Sequence, residues 1–433
     1  HAGSNRGLTG TSGRVILVYR KLILENGVRL VTERIPTLKS VTVGIWVNAG
    51  SRDEQPAQAG YSHFIEHMFF KGTTNRSATD ISREIDALGG EMNAFTTRET
   101  TTFYVKVLDQ HLPKALDLLS DLLHRSKFAP KDIEKEKQVV LEEIRMVQDD
   151  PEDLVQELHT GQVMGRHPLG RPILGRAATI GALRRQDLLD YVGARYQPQE
   201  IVVAVAGSFD QRALERTIAR EFGRRRPSSP QPHVRRAPAL LGGVVMQRKR
   251  LEQVHLCIGM KGISAGHQDR YAAYVLNSVL GGSVSSRLFQ EVREKRGLAY
   301  SIYSFLSGYS DGGTITVYAG TRQKEVERVL DVIRREIRRM AANGITRDEL
   351  KRTKDQMKGS LMLSLESSHS RMNKLAKDEM IKGKHTTLDD MTRAIDAVTF
   401  TQMERVAQEL LDEKSMAITG LGPLSTRQLQ LSR

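Results

Sequence analysis

Alternating apolar and polar residues predict strands in the first part of the chain. Residues 21–32 alternate on both sides of Glu25-Asn26-Gly27, and Asn-Gly favours the tight turn of a β-hairpin. Nearly continuous apolar runs over residues 41–47 and 202–206 predict buried strands. Residues 94–107 are rich in strand-forming types, so a further β-rich stretch is expected there.

A helical spacing of apolar residues predicts helices between these strands. The predicted helices cover residues 62–70, 77–88, 112–123 and 131–148. Ser77 or Thr79 is a suitable N-cap for the second helix, and Gly89-Gly90 ends it. Because strands alternate with long helices, the fold class is predicted to be α+β.

The two halves of the chain resemble each other. Residues 43–47 in the first half resemble residues 254–260 in the second, and a polar loop and a helix follow each stretch. Both halves later place a β-rich stretch, at residues 103–107 and 314–319, before an amphipathic helix. We therefore expect two homologous domains, each a mainly antiparallel sheet with helices packed on one face.

A proline- and arginine-rich segment separates the halves. Four of the 13 prolines fall between Pro227 and Pro238, directly after three consecutive arginines. This composition is typical of a linker. The predicted division is a first domain over residues 15–223, a linker over residues 224–243 and a second domain over residues 244–433.

Composition indicates an ordinary globular protein. Of 433 residues, 39% are hydrophobic and 27% charged, which excludes a wholly disordered or collagen-like chain. No apolar run approaches the roughly 18 residues that a membrane helix needs. Cys257 is the single cysteine, which excludes a disulfide framework and a Cys-rich zinc site. Residues 1–14 are interpreted as a cloning remnant or a disordered tail, with no secretory signal.

Taken alone, the net charge of +14 suggests nucleic acid or an anionic membrane surface as a partner. Basic runs at residues 224–226 and 235–236 lie within the linker, and no zinc finger or aromatic RNA-reading motif is present. Dispersed surface charge is therefore the favoured interpretation, and no nucleic-acid partner is expected.

The sharpest local motif is His63-Phe64-Ile65-Glu66-His67. On a helix, the two histidines lie on one face and can bind one Zn²⁺. Glu66 lies beside them, where a carboxylate suits a general base acting on water. This is the inverted zinc motif H-x-x-E-H. Two surface histidines beside a glutamate on an ordinary helix are the alternative.

A catalytic zinc site needs a third protein ligand. The predicted helix over residues 131–148 offers four acidic candidates, Glu134, Glu136, Glu142 and Glu143. Glu136 and Glu143 are seven residues apart and share a helix face. Most of these acids are expected to be ordinary solvated charges, and the helical pattern alone leaves the ligand open.

The stretch from His63 to Thr73 resembles the active-site signature of the pitrilysin/insulinase zinc peptidases, closest to mitochondrial processing peptidase and its bacterial relatives. The resemblance implies that Glu143, by its spacing from His67, is the third ligand and that Glu136 supports the site. It also implies that Asn93, Ala94, Phe95 and Glu99 belong to the strand that binds an extended peptide by adding it to the sheet edge.

The second half shows no metal ligands at the aligned positions. Residues 274–278 align with the histidine motif, and Thr353 and Ser360 align with Glu136 and Glu143. The stretch 286–300 resembles the segment that the family's second domain turns toward the zinc site. The resemblance implies that Arg293 and Tyr300 hold the substrate carbonyl; otherwise they would be a surface charge and a core residue.

The expected function is a zinc metalloendopeptidase with one Zn²⁺ per chain and two domains enclosing a chamber. The alternative is a catalytically silent scaffold, or core subunit, of the same fold. Asp153 and Glu157 match positions that bind a substrate arginine in processing peptidases, or they are two exposed helix acids. The resemblance implies a homodimer or a heterodimer with a related chain. The expected compartment is the bacterial cytoplasm, with the mitochondrial matrix as the alternative.

Overall fold

The protein contains two β-sheets, one from each half of the chain, in a computed structural model that describes residues 18–224 and 235–431. The first sheet is built from β1 (Val18–Ile23), β2 (Arg29–Arg34), β3 (Ser40–Val47), β4 (Glu91–Thr96), β5 (Thr101–Leu108) and β6 (Ile201–Gly207). The second is built from β7 (Gly243–Arg248), β8 (Val254–Lys261), β9 (Ala299–Gly308), β10 (Gly313–Thr321) and β11 (Ala417–Gly422).

Helices connect the strands in both halves. The first half contains α1 (Tyr61–Phe69), α2 (Ala78–Ala87), α3 (Leu112–Arg125), α4 (Pro130–Asp149), α5 (Pro151–Met164), α6 (Ala177–Ala182), α7 (Arg185–Arg195) and α8 (Gln211–Phe222). The second half contains α9 (Arg270–Leu280), α10 (Val326–Asn343), α11 (Arg347–Ser364), α12 (Ser368–Lys382), α13 (Leu388–Asp396), α14 (Phe400–Leu410) and α15 (Thr426–Leu431). No helix in the described ranges is both long and apolar enough to cross a membrane.

The predicted α+β class is confirmed, and both sheets are mainly antiparallel. The strand orders are β1-β2-β6-β3-β5-β4 and β7-β11-β8-β10-β9. Apart from β1, the two orders correspond strand for strand, and each sheet has one parallel pair at the same place, β2 with β6 and β7 with β11. The repeated order agrees with the internal repeat of the sequence.

Local sequence explains where the elements of the first half begin and end. The four predicted helices agree with α1 to α4 to within two residues at each end. Ser77, one of the two proposed caps, accepts a hydrogen bond from the Asp80 backbone N–H and begins α2. The predicted hairpin is also present, with Gly27 at φ +95° in its turn. Residues 1–14 and half of the predicted linker, residues 225–234, lie outside the described residues.

The helices of each half cover one face of their own sheet, and the other half supplies a helix to the opposite face. Helix α12 packs on the first sheet, where Met372 and Leu375 join Trp46 and Val202 in a buried cluster. The indole N–H of Trp46 lies 3.3 Å from the Met372 sulfur. Because strand residues alternate between faces, these apolar side chains belong to a layer separate from the main core.

Helix α5 makes the reciprocal contact with the second sheet. It packs on β8 and β11, where Leu154 and Val155 join Cys257, Tyr318 and Leu421 in a buried cluster. Helix α5 follows α4 almost directly, so the chain passes from the first half onto the second sheet and back again. This crossing places one face of α5 beside α4 and the histidine motif.

Candidate metal centre

Helix α1 brings the two predicted histidine ligands together. The Nε2 atoms of His63 and His67 lie 3.2 Å apart on one helix face. The helix begins at a buried carboxylate, because Glu54 accepts hydrogen bonds from the backbone N–H groups of Gly60 at 2.9 Å and Ser62 at 2.7 Å. These bonds satisfy N–H groups that the first turn leaves unpaired and so fix the direction of the helix.

Helix α4 adds the third side chain. Glu143 Oε2 lies 3.6 Å from the Nε2 atoms of both His63 and His67. Among the described residues, this is the only group of three or more potential metal ligands found within 4.8 Å of one another. Of the four acidic candidates on the helix, the structure brings Glu143 to this position.

The three side chains fit a zinc ion. Zinc bonds of about 2.0–2.1 Å at tetrahedral angles place ligand atoms about 3.3–3.4 Å apart. The observed separations of 3.2, 3.6 and 3.6 Å bracket that value. Glu143 Oε2 is also buried without a hydrogen-bond partner among the described residues. Such an oxygen beside two imidazole nitrogens is explained by a bound cation.

Electrostatics favour the same use of these side chains. Burial, aided by the neighbouring His67, lowers the pKa of His63 to about 3, which keeps its ring neutral as a metal ligand must be. Burial alone would lower the pKa of His67, but its hydrogen bond to Glu136 and the nearby carboxylates raise it. The carboxylates of Glu66, Glu136 and Glu143 thus surround His67 with negative charge, which favours a bound cation.

Glu136 orients His67 through Nδ1, the ring nitrogen that does not face His63. Its Oε1 lies 2.8 Å from His67 Nδ1, and its Oε2 lies 2.7 Å from the Lys71 ammonium. Burial opposes ionisation of Glu136, but these two partners outweigh it and lower the pKa of the carboxyl. A carboxylate on the outer ring nitrogen fixes the tautomer that leaves Nε2 free. Lys71 was not among the predicted site residues, although its place four residues after His67 is a usable signal.

We predict that Glu136→Gln lowers zinc affinity by about 10- to 100-fold, because the amide cannot supply the charge that orients His67. The measurement is zinc retention against a chelator of known affinity. Glu134→Gln is the matched control, because this acid lies on the same helix with its side chain 70% exposed. Equal retention by the two variants would contradict the positioning role.

Glu66 and the edge strand β4 adjoin the cluster. Glu66 Oε2 accepts a hydrogen bond of 2.5 Å from the Thr96 hydroxyl at the end of β4. Burial raises the pKa of Glu66, although the Thr96 bond and His67 oppose the shift. Thr96 was absent from the sequence-based candidates, because nothing in the pattern shows which carboxylate a strand hydroxyl will meet.

A cavity of about 540 Å³ joins these groups. His63, Glu66, Ala94, Phe95 and Thr96 line it. Strand β4 is last in its sheet order, so its outer edge has no strand partner within the described ranges. Free backbone N–H and C=O groups along such an edge can pair with an extended peptide.

The opposite walls come from α5 and the second half. Asp153 and Glu157 line the same cavity, together with Phe305, Ser307 and Tyr309 from the chain around β9. Burial and the charge of neighbouring acids raise the pKa of both Asp153 and Glu157, although the charge of Arg98 opposes the shift of Glu157. In the part of the chain that the structure describes, neither acid has a lysine or arginine within ion-pair distance. The structure thus places both acids in the same cavity as the histidine motif.

Four predicted site residues lie elsewhere. Asn93 does not line the cavity, and the Glu99 carboxylate is bound by Arg52 at 2.6 Å. Arg293 and Tyr300 also lie outside the cavity. The Arg293 guanidinium lies 5.2 Å from the centre of the Tyr300 ring, so the structure brings this pair to each other but not to the histidines. Tyr300 is 78% exposed.

Comparison with known proteins agrees with this geometry. Residues 29–177 match the family model for insulinase, peptidase family M16, and residues 182–357 match the model for the peptidase M16 inactive domain. The chain is 42% identical to an uncharacterized zinc protease of Bacillus subtilis, YmxG, covering 92% of this chain and 96% of the relative. It is also 42% identical to a zinc protease of Streptomyces coelicolor, covering 94% and 90%.

A solved structure shows the same fold. The crystal structure of a protease from Helicobacter pylori superposes with a TM-score of 0.88 at 22% identity, covering 94% of this chain and all of the other. At that identity the likeness concerns the fold alone. The family matches and the two close relatives are sufficient for assignment, and the chain belongs to peptidase family M16, the insulinase family.

Proposed function

We propose that this protein is a zinc metalloendopeptidase with one Zn²⁺ per chain. The observation that carries the proposal is the convergence of His63, His67 and Glu143 at zinc-ligand separations. Glu66 and the edge of β4 line one cavity with His63. Water at the metal, the base Glu66 and a peptide on β4 would therefore be within reach of one another. A silent scaffold would not need this set of side chains.

Each side chain then has a defined task. His63, His67 and Glu143 would hold a Zn²⁺ ion, which would supply a Lewis acid and lower the pKa of a bound water. Strand β4 binds the peptide through main-chain hydrogen bonds. Because Thr96 occupies Oε2 of Glu66, Oε1 remains to take the proton from the attacking water and return it to the leaving amine.

The function is tested by zinc analysis and a peptide-cleavage assay on the purified full chain. We expect about one zinc per chain, loss of cleavage after chelation and recovery on adding one equivalent of zinc. Inorganic magnesium serves as the control cation, because it prefers oxygen ligands and should not restore cleavage. A protein that binds no zinc and cleaves no peptide would refute the proposal.

We propose further that substrates carry an arginine near the cleavage point, as presequence-like segments do. Asp153 and Glu157 are one helical turn apart on α5 and face the cavity without a cationic partner of their own among the described residues. Burial and neighbouring acids raise their pKa values, and Arg98, which lines the same cavity, opposes the shift of Glu157 without forming an ion pair with it. A guanidinium from the substrate would supply the hydrogen bonds and the charge.

We predict that the double variant Asp153→Asn, Glu157→Gln raises KM for arginine-containing peptides by about tenfold or more. The reason is that a charge-assisted bond becomes a neutral one. KM is measured for two peptides that differ only in having arginine or norleucine near the cut. An equal rise for both peptides would show that the two acids are not an arginine site.

We propose that Arg293 and Tyr300 complete the site of a second copy of this chain. Both lie outside the cavity that His63 and Glu66 of the same chain line. The exposure of Tyr300 leaves its phenol available to another molecule. A cation and a phenol suit the carbonyl oxygen of a bound peptide, where negative charge develops. A symmetric pair of chains would then have two sites, each with residues from both copies.

We propose that each half of the chain forms one domain. Residues 15–223 would be the metal-binding domain and residues 244–433 the second domain, joined by the linker over residues 224–243. The relatives described above are bacterial, which favours a bacterial cytoplasmic protein over the mitochondrial alternative. Arg235, from one of the two basic runs, is paired with Asp53, so that run gives little support to nucleic-acid binding.

A further inference from the structure

One buried guanidinium connects the two halves at the end of the cavity. The Arg52 side chain is only 2% exposed. Its Nη1 donates to Glu99 Oε1 at 2.6 Å and to Asp311 Oδ1 at 2.8 Å, and its Nη2 donates to Asp311 Oδ2 at 2.6 Å. Glu99 lies in the turn between β4 and β5, whereas Asp311 lies at the tip of the hairpin formed by β9 and β10. Arg52 therefore holds together two turns that are far apart in sequence.

Neighbouring groups reinforce the same contact. The Ser310 backbone N–H donates to Glu99 Oε2 at 2.9 Å, and the Ser310 hydroxyl donates to Glu99 Oε1 at 2.6 Å. Arg52 Nη2 also donates to the Arg236 carbonyl at 2.6 Å. The turn after β4, the hairpin tip and the chain leading to β7 therefore meet at one side chain.

A buried bidentate pair of this kind is chiefly a geometric constraint. Arginine and carboxylate hold each other at a fixed distance and in one plane. The cost of removing both charges from water offsets much of their attraction, so net stability is a poor explanation for the pair. The contact is better explained by what it holds in place.

The hairpin that Arg52 holds carries one wall of the cavity. Phe305 and Ser307 on β9, and Tyr309 just after it, line the cavity opposite the β4 edge. Tyr309 and Ser310 are adjacent in sequence, and the turn that contains Glu99 follows Thr96 closely. Any shift at Arg52 therefore moves one wall relative to the other.

We infer that Arg52 is a positioning residue that sets the width of the peptide channel between the β4 edge and the wall of Phe305, Ser307 and Tyr309. This inference rests on the proposed peptidase function. It also gives Glu99 a task other than contacting substrate. The channel must be wide enough for one extended strand and narrow enough to press its side chains against the second half.

The kinetic test uses Asp311→Asn, which removes the charge and nearly keeps the shape. We expect KM to rise by about fivefold or more for an internally quenched peptide, with kcat changed by less than about twofold and zinc content unchanged. Glu349→Gln is the matched control, because it breaks a similarly buried pair with Arg287, at 2.7 Å, inside the second half. An unchanged KM for Asp311→Asn, or an equal rise in both variants, would overturn the inference.

A second measurement does not depend on cleavage. Spin labels at Glu91→Cys and Gly308→Cys report the distance between β4 and the hairpin, and native Cys257 is buried and escapes labelling. We expect Asp311→Asn to broaden the distance distribution and Glu349→Gln to leave it unchanged. Identical distributions in all three proteins would refute the inference. If the wild-type protein cleaves no peptide, the proposed function is refuted instead. The distances between the spin labels still test whether Arg52 sets the width of the channel.

Discussion

Replacing Glu66 by glutamine is expected to lower kcat by about 10²- to 10⁴-fold while zinc stays bound. Glutamine has the same size and can still accept the Thr96 hydrogen bond, but its amide cannot take a proton from water. The three proposed ligands are untouched, because Glu66 lies beside the cluster and is not part of it. The measurements are kcat on a quenched peptide and zinc content in the same preparation.

Glu142→Gln is the control for this experiment. Glu142 is adjacent to the proposed ligand Glu143, but its side chain is 64% exposed and paired with Arg145. We expect this variant to keep both zinc and activity, since exposed ion pairs contribute little. Retention of a substantial fraction of wild-type kcat by Glu66→Gln would show that another group is the base. Loss of zinc from the variant would show that Glu66 also holds the metal.

Mixing two inactive variants, Glu66→Gln and Tyr300→Phe, is expected to restore about a quarter of wild-type cleavage. Alone, Tyr300→Phe should lose about 10²- to 10³-fold in kcat, as when one donor to a developing oxyanion is removed. In an equal mixture half of the dimers contain one of each variant. Each mixed dimer has one site with an intact Glu66 and an intact Tyr300, provided that the tyrosine acts on the other copy.

The measurement is cleavage as a function of mixing ratio, after the chains have exchanged partners. Tyr274→Phe is the matched control, because Tyr274 is also partly exposed, at 42%, but lies on α9. That variant should keep its activity and show no dependence on mixing beyond dilution. If Tyr300→Phe is inactive and the mixture stays inactive, the tyrosine acts within its own chain. If Tyr300→Phe is active, the residue has no part in the reaction.

Much of the local structure could be predicted because it depends on neighbouring residues. The period of apolar residues defines α1 to α4, and Ser77 marks the beginning of α2. The packing of α5 on the second sheet and of α12 on the first sheet could not be predicted in this way. An amphipathic pattern shows which face of a helix is buried, but two similar sheets offer similar apolar faces, and only the tertiary structure shows which one is covered.

The candidate site shows the same difference between contacts within one element, which could be predicted, and contacts between distant elements, which could not. His63 and His67 lie one turn apart on a single helix, so their common face follows from spacing alone. Glu99 shows the limit, because a carboxylate at the end of a substrate-binding strand can equally serve a distant arginine. Its partners Arg52 and Ser310 lie far apart in the sequence, and no periodicity connects them. Thr96 was missed as the partner of Glu66 for a similar reason, because it lies 30 residues away on a different element.

The packing of α12 on the first sheet has a consequence during synthesis of the chain. The last strand of the first sheet has been synthesised at Gly207. The helix that covers the second face of this sheet begins only at Ser368. Until then, the apolar face around Trp46 and Val202 has no cover from its own half. A nascent chain stalled between these points should bind holding chaperones through that face, and a fragment that ends at the linker should aggregate when produced alone.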